Sequence, residues 1–149
     1  MKDFIFNKKA VFDYEILEKF EAGIVLSGTE IKAIKSGKAN LAGSFAIIRN
    51  NEIFLLNLSI PPYQPKNVNA SYQPDKTRKL LLHKKQIASL SGQLKQKNLT
   101  LIPLRMYNKH GLIKVELALA KGKKKFDKRE SIKKRETQRK IDRAKRGDY

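Results

Sequence analysis

The last 29 residues of the chain, 121–149, restrict where a folded core can form. They contain 14 Lys and Arg against 5 Asp and Glu, a net charge of +9, and only five apolar side chains. Such a segment cannot bury enough apolar surface to offset the conformational entropy that folding removes. We therefore predict a compact domain at 1–120 and a basic tail at 121–149, which stays disordered until it meets a large polyanion.

The chain is basic throughout and not only in this tail. Its formal charge is +19, of which residues 1–120 carry +10, and its isoelectric point is about 10.2. So large an excess favours a nucleic-acid partner, because phosphates supply dense negative charge. The sequence has no apolar run of the ~20 residues that span a bilayer, no secretory signal in its first ten residues and no cysteine. We expect a cytoplasmic protein with no membrane partner.

Strand-like patterns dominate the body of the chain. Alternating or β-rich segments predict strands at 12–22 continuing through 24–26, 44–49, 52–59, 78–83, 99–107 and 112–120. The first segment loses its alternation at Leu17 and Glu18, and Gly23 permits a bend. Asn50-Asn51 and the Asn108–Gly111 segment predict hairpin turns, because Asn and Gly tolerate positive φ.

Two helices are predicted between these strands. Ser27 and Glu30 have the spacing of a capping box, and Gly37 suits the end of the short helix that follows. A second helix is predicted from Lys84 to Lys97. Because strands outnumber helices and the connections are short, we predict a mainly β fold, a small antiparallel barrel with two or three helices. Among such barrels, the oligonucleotide-binding (OB) type matches the charge best.

The chemistry of an enzyme is not visible in the sequence. Neither phosphate-binding glycine motifs nor metal-ligand spacings occur, and His83 and His110 are isolated. The acidic residues of the body are better explained by surface charge and helix capping than by acid–base catalysis. We predict a protein without catalytic residues, metal, cofactor or small-molecule substrate.

Several ordered blocks of the sequence resemble the bacterial small protein B (SmpB) family, the SsrA-binding proteins. The most specific is FEAGIVLSGTEIK at 20–32. The others are GKANL at 37–41, RKLLLH at 78–83, AKGKK at 120–124 and DKRE at 127–130. The resemblance extends from about Asn7 to Arg143.

This resemblance implies an OB-like, six-stranded antiparallel β-barrel with about three short helices and a basic C-terminal tail. It implies a non-catalytic, monomeric protein that binds the transfer-RNA-like domain of transfer-messenger RNA (tmRNA, or SsrA) and delivers it to stalled ribosomes for trans-translation. The tail would enter the messenger channel near the decoding centre and fold there as a helix.

The family's functional positions fall on residues in the body and in the tail. Matching positions tied to tmRNA binding are Asn7, Glu21, Leu81 and Lys114. Lys114 can neutralise a phosphate, Glu21 can accept a hydrogen bond from RNA or orient neighbouring lysines, and Leu81 supports the surface. The resemblance also implies that Lys121 binds RNA, that Gly122 is a hinge, and that the functional tail motif comprises Phe126, Asp127, Lys128 and Arg129.

The long loop at 66–77 is the second expected RNA contact. Its Tyr72 can stack on a base, and Lys76, together with Arg78 at its end, can neutralise phosphate. Tyr72 and Lys76 replace a His and an Arg that the family commonly has, and Phe12 stands where the family usually has His. Two other functions remain open, a general ribosomal or translation-factor RNA-binding protein and an RNA-modifying enzyme.

Overall fold

The order of helices and strands follows the sequence patterns closely. The structure is a computed structural model, and it describes residues 3–64, 66, 71–96, 98–123, 135–136 and 138–139. Among these residues it has seven strands and three helices. In chain order they are β1 (Asp3–Phe6), α1 (Lys8–Asp13), β2 (Tyr14–Ile24), α2 (Gly28–Lys35), β3 (Phe45–Arg49), β4 (Glu52–Leu56), β5 (Arg78–Leu81), α3 (Lys84–Gln93), β6 (Leu99–Lys109) and β7 (Leu112–Gly122).

The sheet closes on itself through six antiparallel strands. The strand order is β1-β6-β3-β4-β5-β2-β7, and β7 pairs in addition with β6. On its other side, β6 pairs with β3 at a single register position, Ala46 with Leu101, so the barrel closes there over a short length. β1 pairs with the second half of β6, from Tyr107 to Arg105. The predicted mainly β, OB-like fold with about three helices is confirmed, and β1 adds a seventh strand to the predicted six.

Local sequence explains most of the connections. Asn50, Asn51 and His110 have positive φ values of 54°, 62° and 52°, as the two predicted hairpin turns require. The capping box of α2 is present, with the Ser27 hydroxyl accepting from the Glu30 N–H and the Glu30 carboxylate accepting from the Ser27 N–H. Gly37 has a φ of 78° just beyond α2, which is the predicted helix stop.

The start of the chain differs from the prediction. Phe12 and Asp13 belong to the end of α1 and not to a strand, and the strand begins at Tyr14. Asn7 starts α1 by accepting the Ala10 N–H at its side chain. The predicted break in alternation at Leu17 is a β-bulge, since the register of β2 against β7 shifts between Ile16 and Glu18.

The core fills the barrel, and a second apolar layer lies outside it. The large, fully buried side chains of the interior come from α2, α3, four of the strands and the connections, and include Ile34, Leu41, Ile53, Leu55, Leu58, Ile60, Leu80, Leu90, Leu101, Met106 and Leu117. The second layer forms where α1 covers the outer face of β6 and β7. It contains Ile102 and Leu104 together with three alanines that permit close packing: Ala10, Ala118 and Ala120. Among the described residues, the rest of that outer face carries charged side chains as well as the exposed Leu112.

Candidate nucleic-acid interface

Four neighbouring strands present one row of residues on the outside of the barrel. Across β5, β2, β7 and β6, the register aligns Leu81 with Gly23, Gly23 with Lys114, and Lys114 with Tyr107. Leu81 is 53% exposed despite being a large apolar residue. Gly23 leaves room in the row, since a Cβ at this position would lie 3.3 Å from the Leu81 Cβ. We call the uncovered outer surface of these four strands the open face.

A second row on the open face is formed by charged residues. Glu21 aligns with Glu116, and Glu116 aligns with Arg105. The Arg105 guanidinium donates to Glu116 at 3.2 Å and to Asp3 at 2.6 Å. The pKa of Arg105 is raised above its usual value mainly by hydrogen bonding to Glu116, and desolvation opposes this shift. These contacts tie β1, β6 and β7 together and keep both signs of charge on the surface.

Glu21 is the centre of a smaller cluster within these rows. Its carboxylate accepts a hydrogen bond from the Tyr107 hydroxyl at 2.5 Å and from Lys109 Nζ at 3.1 and 3.2 Å. The Tyr107 hydrogen bond is the main cause that lowers the pKa of Glu21. Desolvation opposes the shift, and the charges of Lys109 and Lys114 add to it. Burial, followed by the bond to Glu21, raises the pKa of Tyr107.

An apolar hollow borders the row next to Leu81. It has a volume of about 190 Å³ and lies between the ends of β2 and β5 and the β6–β7 turn. Its lining includes Leu81, Ile31 and Leu112, and Leu112 is 60% exposed. Exposed leucines beside lysines suit a ligand with both flat apolar surfaces and negative charge, as nucleotides have.

The beginning of β5 carries a buried ion pair instead of an exposed cation. The Arg78 and Glu30 side chains are each 1% exposed, and their closest approach is 2.7 Å. Arg78 also donates to the backbone carbonyls of Leu58, Pro74 and Lys76 at 2.6 to 3.1 Å. The predicted contact of Arg78 with RNA stays a prediction, and in this structure its donors are turned inward. Arg78 joins the loop before β5 to the barrel.

The described part of this loop keeps Tyr72 and Lys76 together. The Tyr72 hydroxyl donates to the Ile60 carbonyl at 2.7 Å, and Lys76 Nζ lies 5.8 Å from the centre of the Tyr72 ring. Lys76 also lies 3.7 Å from the Glu30 carboxylate, with its side chain 44% exposed. Their predicted contacts with RNA stay predictions, since both residues retain surface at the edge of the barrel.

Asn7, one of the positions expected to be tied to tmRNA binding, is buried. It is 5% exposed, and its amide donates to the carbonyls of Leu41 at 3.3 Å and Pro103 at 2.9 Å. Its side-chain oxygen is used at the start of α1. Because the polar atoms of Asn7 are directed into the protein, they fix α1 against β6, and the tie of Asn7 to tmRNA binding stays a prediction.

The residues at the end of β7 are separated from the open face. Lys121 pairs with Glu15 and Leu99, and Gly122 pairs with Tyr14, so both residues still belong to the strand. The predicted division after residue 120 therefore falls inside β7, and a boundary fits better after Gly122. Seven residues separate Lys121 from Lys114, about 24 Å along a strand.

The tail motif at Phe126, Asp127, Lys128 and Arg129 lies outside the described residues. Residues 135–136 and 138–139 are helical and exposed, and the Arg135 guanidinium lies 4.7 Å from the centre of the Phe12 ring.

The structure thus brings Glu21, Leu81 and Lys114 to one face and adds Tyr107, Lys109 and Arg105 to them. Sequence reasoning missed these three residues. The pairing of Tyr107 with Lys114 could have been found by counting outward from the predicted turn at Asn108–Gly111. The same count pairs Arg105 with Glu116, and it fails only beyond Arg105, at the bulge between Pro103 and Arg105.

The described residues contain no group of three or more His, Cys, Asp or Glu side chains that could hold a metal ion. Within the same part of the chain, no helix is long and apolar enough to cross a membrane.

The closed barrel and its open face define a class of small, basic, OB-like β proteins with a mixed apolar and cationic surface. Within this class, the model of the SmpB protein family matches residues 4–147 of the chain. The chain belongs to the SmpB family.

Individual relatives support the same assignment over nearly the full length. The chain is 56% identical to an SsrA-binding protein of Thermosipho africanus over 142 residues, which cover 95% of both chains. It is 55% identical to an SsrA-binding protein of Geobacter sulfurreducens, with 93% of this chain and 90% of the relative covered. A solved structure described as "tmRNA-SmpB: a journey to the center of the bacterial ribosome" contains a similar chain. That chain has 47% identity and a TM-score of 0.68, and the match covers 85% of this chain and 92% of that one.

Proposed function

We propose that this protein binds the tRNA-like domain of tmRNA and delivers it to stalled ribosomes for trans-translation. The observation that carries the proposal is the open face. Glu21, Leu81 and Lys114 lie far apart in the sequence, yet the register of β2, β5 and β7 places them in two adjacent rows. These are three of the four positions that resemble tmRNA-binding positions of the family, and relatives in two organisms are named for SsrA binding.

The open face offers two kinds of contact to RNA. Lys114 has no ion-pair partner within 4 Å among the described residues, so its ammonium group is available to a phosphate. Leu81 and the hollow beside it provide an apolar surface on which an unpaired base or a ribose can pack. Structured RNA is generally recognised through its shape, its backbone and its unstacked bases, and not through the deep groove of its helices.

The two ends of the molecule divide the work. The barrel holds the RNA, and the tail beyond Gly122, with Phe126, Asp127, Lys128 and Arg129, acts in the messenger channel at the decoding centre of the ribosome. A tail with spaced acid–base pairs, such as Glu130 with Lys134, gains only about 0.2–0.5 kcal/mol per pair. It therefore needs the phosphates of the ribosome to offset the repulsion among its own cations. We propose a cytoplasmic, monomeric protein without catalytic activity of its own.

Binding to two RNAs tests this function. In an electrophoretic assay at moderate salt, the protein should bind the tRNA-like domain of tmRNA more tightly than an ordinary tRNA. Equal affinity for both, with salt dependence accounting for all of the binding, would instead indicate a general RNA-binding protein.

A substitution on the open face tests where that binding occurs. Lys114→Met should weaken binding and make the slope of log affinity against log salt less negative by roughly 0.7–0.9. Lys85→Met is the matched control, because Lys85 is an exposed lysine on α3. Equal losses from both variants would place the RNA away from the open face.

A further inference from the structure

Glu21 lies in a position that restricts what its carboxylate can do. Both oxygens already accept hydrogen bonds, one from Lys109 alone and the other from Lys109 and Tyr107. A carboxylate is also repelled by RNA phosphates at short range. These bonds use three of the roughly four acceptor sites of a carboxylate, so about one is left for direct recognition of the RNA, and the bonds within the protein call for an explanation of their own.

The three residues of this cluster differ in their freedom to move. Tyr107 is 2% exposed, and its ring stacks on the Arg105 guanidinium at 4.4 Å. Arg105 is in turn held by Asp3 and Glu116. Lys109 has more freedom to move, because its side chain is 40% exposed; its ion-pair partner is Glu21. Glu21 therefore connects a fixed residue to one that would otherwise move freely.

We propose that Glu21 is a positioning residue, which holds the ammonium group of Lys109 beside that of Lys114 so that the two lysines bind the RNA backbone as a pair. Lys109 then becomes a further phosphate-binding residue of the open face. The inference rests on the proposed function, because it assumes that RNA binds this face, and it names the backbone phosphate as the group that the cluster recognises.

The gain from this arrangement is one of preorganisation. A free lysine side chain samples many rotamers, and part of this freedom is lost when it binds. The bonds to Glu21 restrict Lys109 before the RNA arrives, so that less entropy is lost in the complex. An ammonium group has three N–H donors, and the two bonds to a single carboxylate leave at least one donor for a phosphate oxygen.

A set of four variants tests the inference through the salt dependence of binding. The tRNA-like domain of tmRNA is titrated with the full-length protein at several salt concentrations. Lys109→Met should make the slope of log affinity against log salt less negative by roughly 0.7–0.9, the contribution of one phosphate contact. Glu21→Gln should weaken binding when Lys109 is present, and the double variant should bind no more weakly than Lys109→Met alone, because Glu21 acts through Lys109. Lys109→Arg should keep the slope of the wild type.

Glu52→Gln is the matched control for Glu21→Gln. Glu52 pairs with Lys79 at 3.6 Å, and both side chains are about half exposed, as in the Glu21–Lys109 pair. Both substitutions raise the net charge by one unit, which by itself would strengthen binding to RNA. We expect Glu52→Gln not to weaken binding, and only Glu21→Gln to do so.

Two results would overturn the inference. If Glu21→Gln weakens binding as much in the Lys109→Met background as in the wild type, Glu21 contacts the RNA directly. If Lys109→Met leaves the slope unchanged, Lys109 does not touch the backbone. Urea midpoints of each variant identify any loss of folding. Failure of the proposed function would be recognised separately, since the wild type would then bind an ordinary tRNA equally well.

Discussion

The buried ion pair between Glu30 and Arg78 provides the sharpest test of how this barrel is stabilised. In Glu30→Gln the cation of Arg78 stays buried, with its side chain 1% exposed and its carboxylate partner replaced by a neutral amide. Removing one partner of a buried pair typically costs 3–5 kcal/mol. Three backbone carbonyls still accept from Arg78, so we expect a loss at the lower end, about 3 kcal/mol.

Urea unfolding at neutral pH measures this loss. With a denaturant slope of about 2 kcal/mol per M, the midpoint should fall by about 1.5 M. The thermal midpoint should fall by about 6–12 °C for a chain of this size. Glu52→Gln, which breaks the exposed pair with Lys79, should cost no more than about 1 kcal/mol.

The pH dependence adds a check on the charge of Glu30. Desolvation raises the pKa of Glu30. The bonds from Ser27 and Arg78 outweigh it and hold the pKa below the ordinary value of 4.5. The stability that this carboxylate contributes is therefore complete above pH 4.5 and is lost as the pH falls through its lower, folded-state pKa. The difference between the wild type and Glu30→Gln should narrow over the same range.

The double variant Glu30→Gln/Arg78→Met distinguishes a true pair from two independent residues. Its loss of unfolding free energy should be clearly smaller than the sum of the two single losses, because no unpaired buried charge remains when both charged groups are removed. A loss below about 1 kcal/mol for Glu30→Gln, equal to that of Glu52→Gln, would refute the reasoning.

Two further predictions concern the start and the end of the barrel. Asn7→Ala should lower the free energy of unfolding by about 1–3 kcal/mol, because the cap of α1 is lost and two buried carbonyls lose a donor; an unchanged urea midpoint would contradict this. Truncation after Lys123, which leaves β7 intact, should preserve RNA binding but abolish peptide tagging on stalled ribosomes. Tagging by the truncated protein would show that the tail is not required.

Local signals in the sequence predicted much of the fold. The two hairpins depend on turn residues next to regular strands, and the capping box and Gly37 lie at fixed distances within one short segment. Each of these features is decided by neighbouring residues. The first 13 residues are different, since β1 is formed by pairing with β6, about 100 residues away in the sequence. A strand of four residues has too little pattern to be detected without its partner.

The candidate site was predictable in part for a similar reason. Lys114 and Leu81 lie on recognisable strands, and the resemblance to the family identified them with Glu21. The roles of the other site residues depend on burial and on contacts between strands, which the sequence does not show. Asn7 and Arg78 are polar residues whose sequence patterns give no indication that their donors turn inward to backbone carbonyls. Tyr107 and Lys109 matter through contacts with Glu21 on another strand, which alternation alone does not reveal.

The length of β7 also fixes a distance within the molecule. Lys114 lies near one end of this strand and Gly122 at the other, and β2 pairs with the strand at both positions. Eight residues of extended chain measure about 27 Å. A strand that is paired at both ends keeps its extended length, unlike a flexible linker. The distance between the open face and the point where the tail begins is therefore fixed by the barrel. Two ligands can be engaged at its two ends without competing for the same surface.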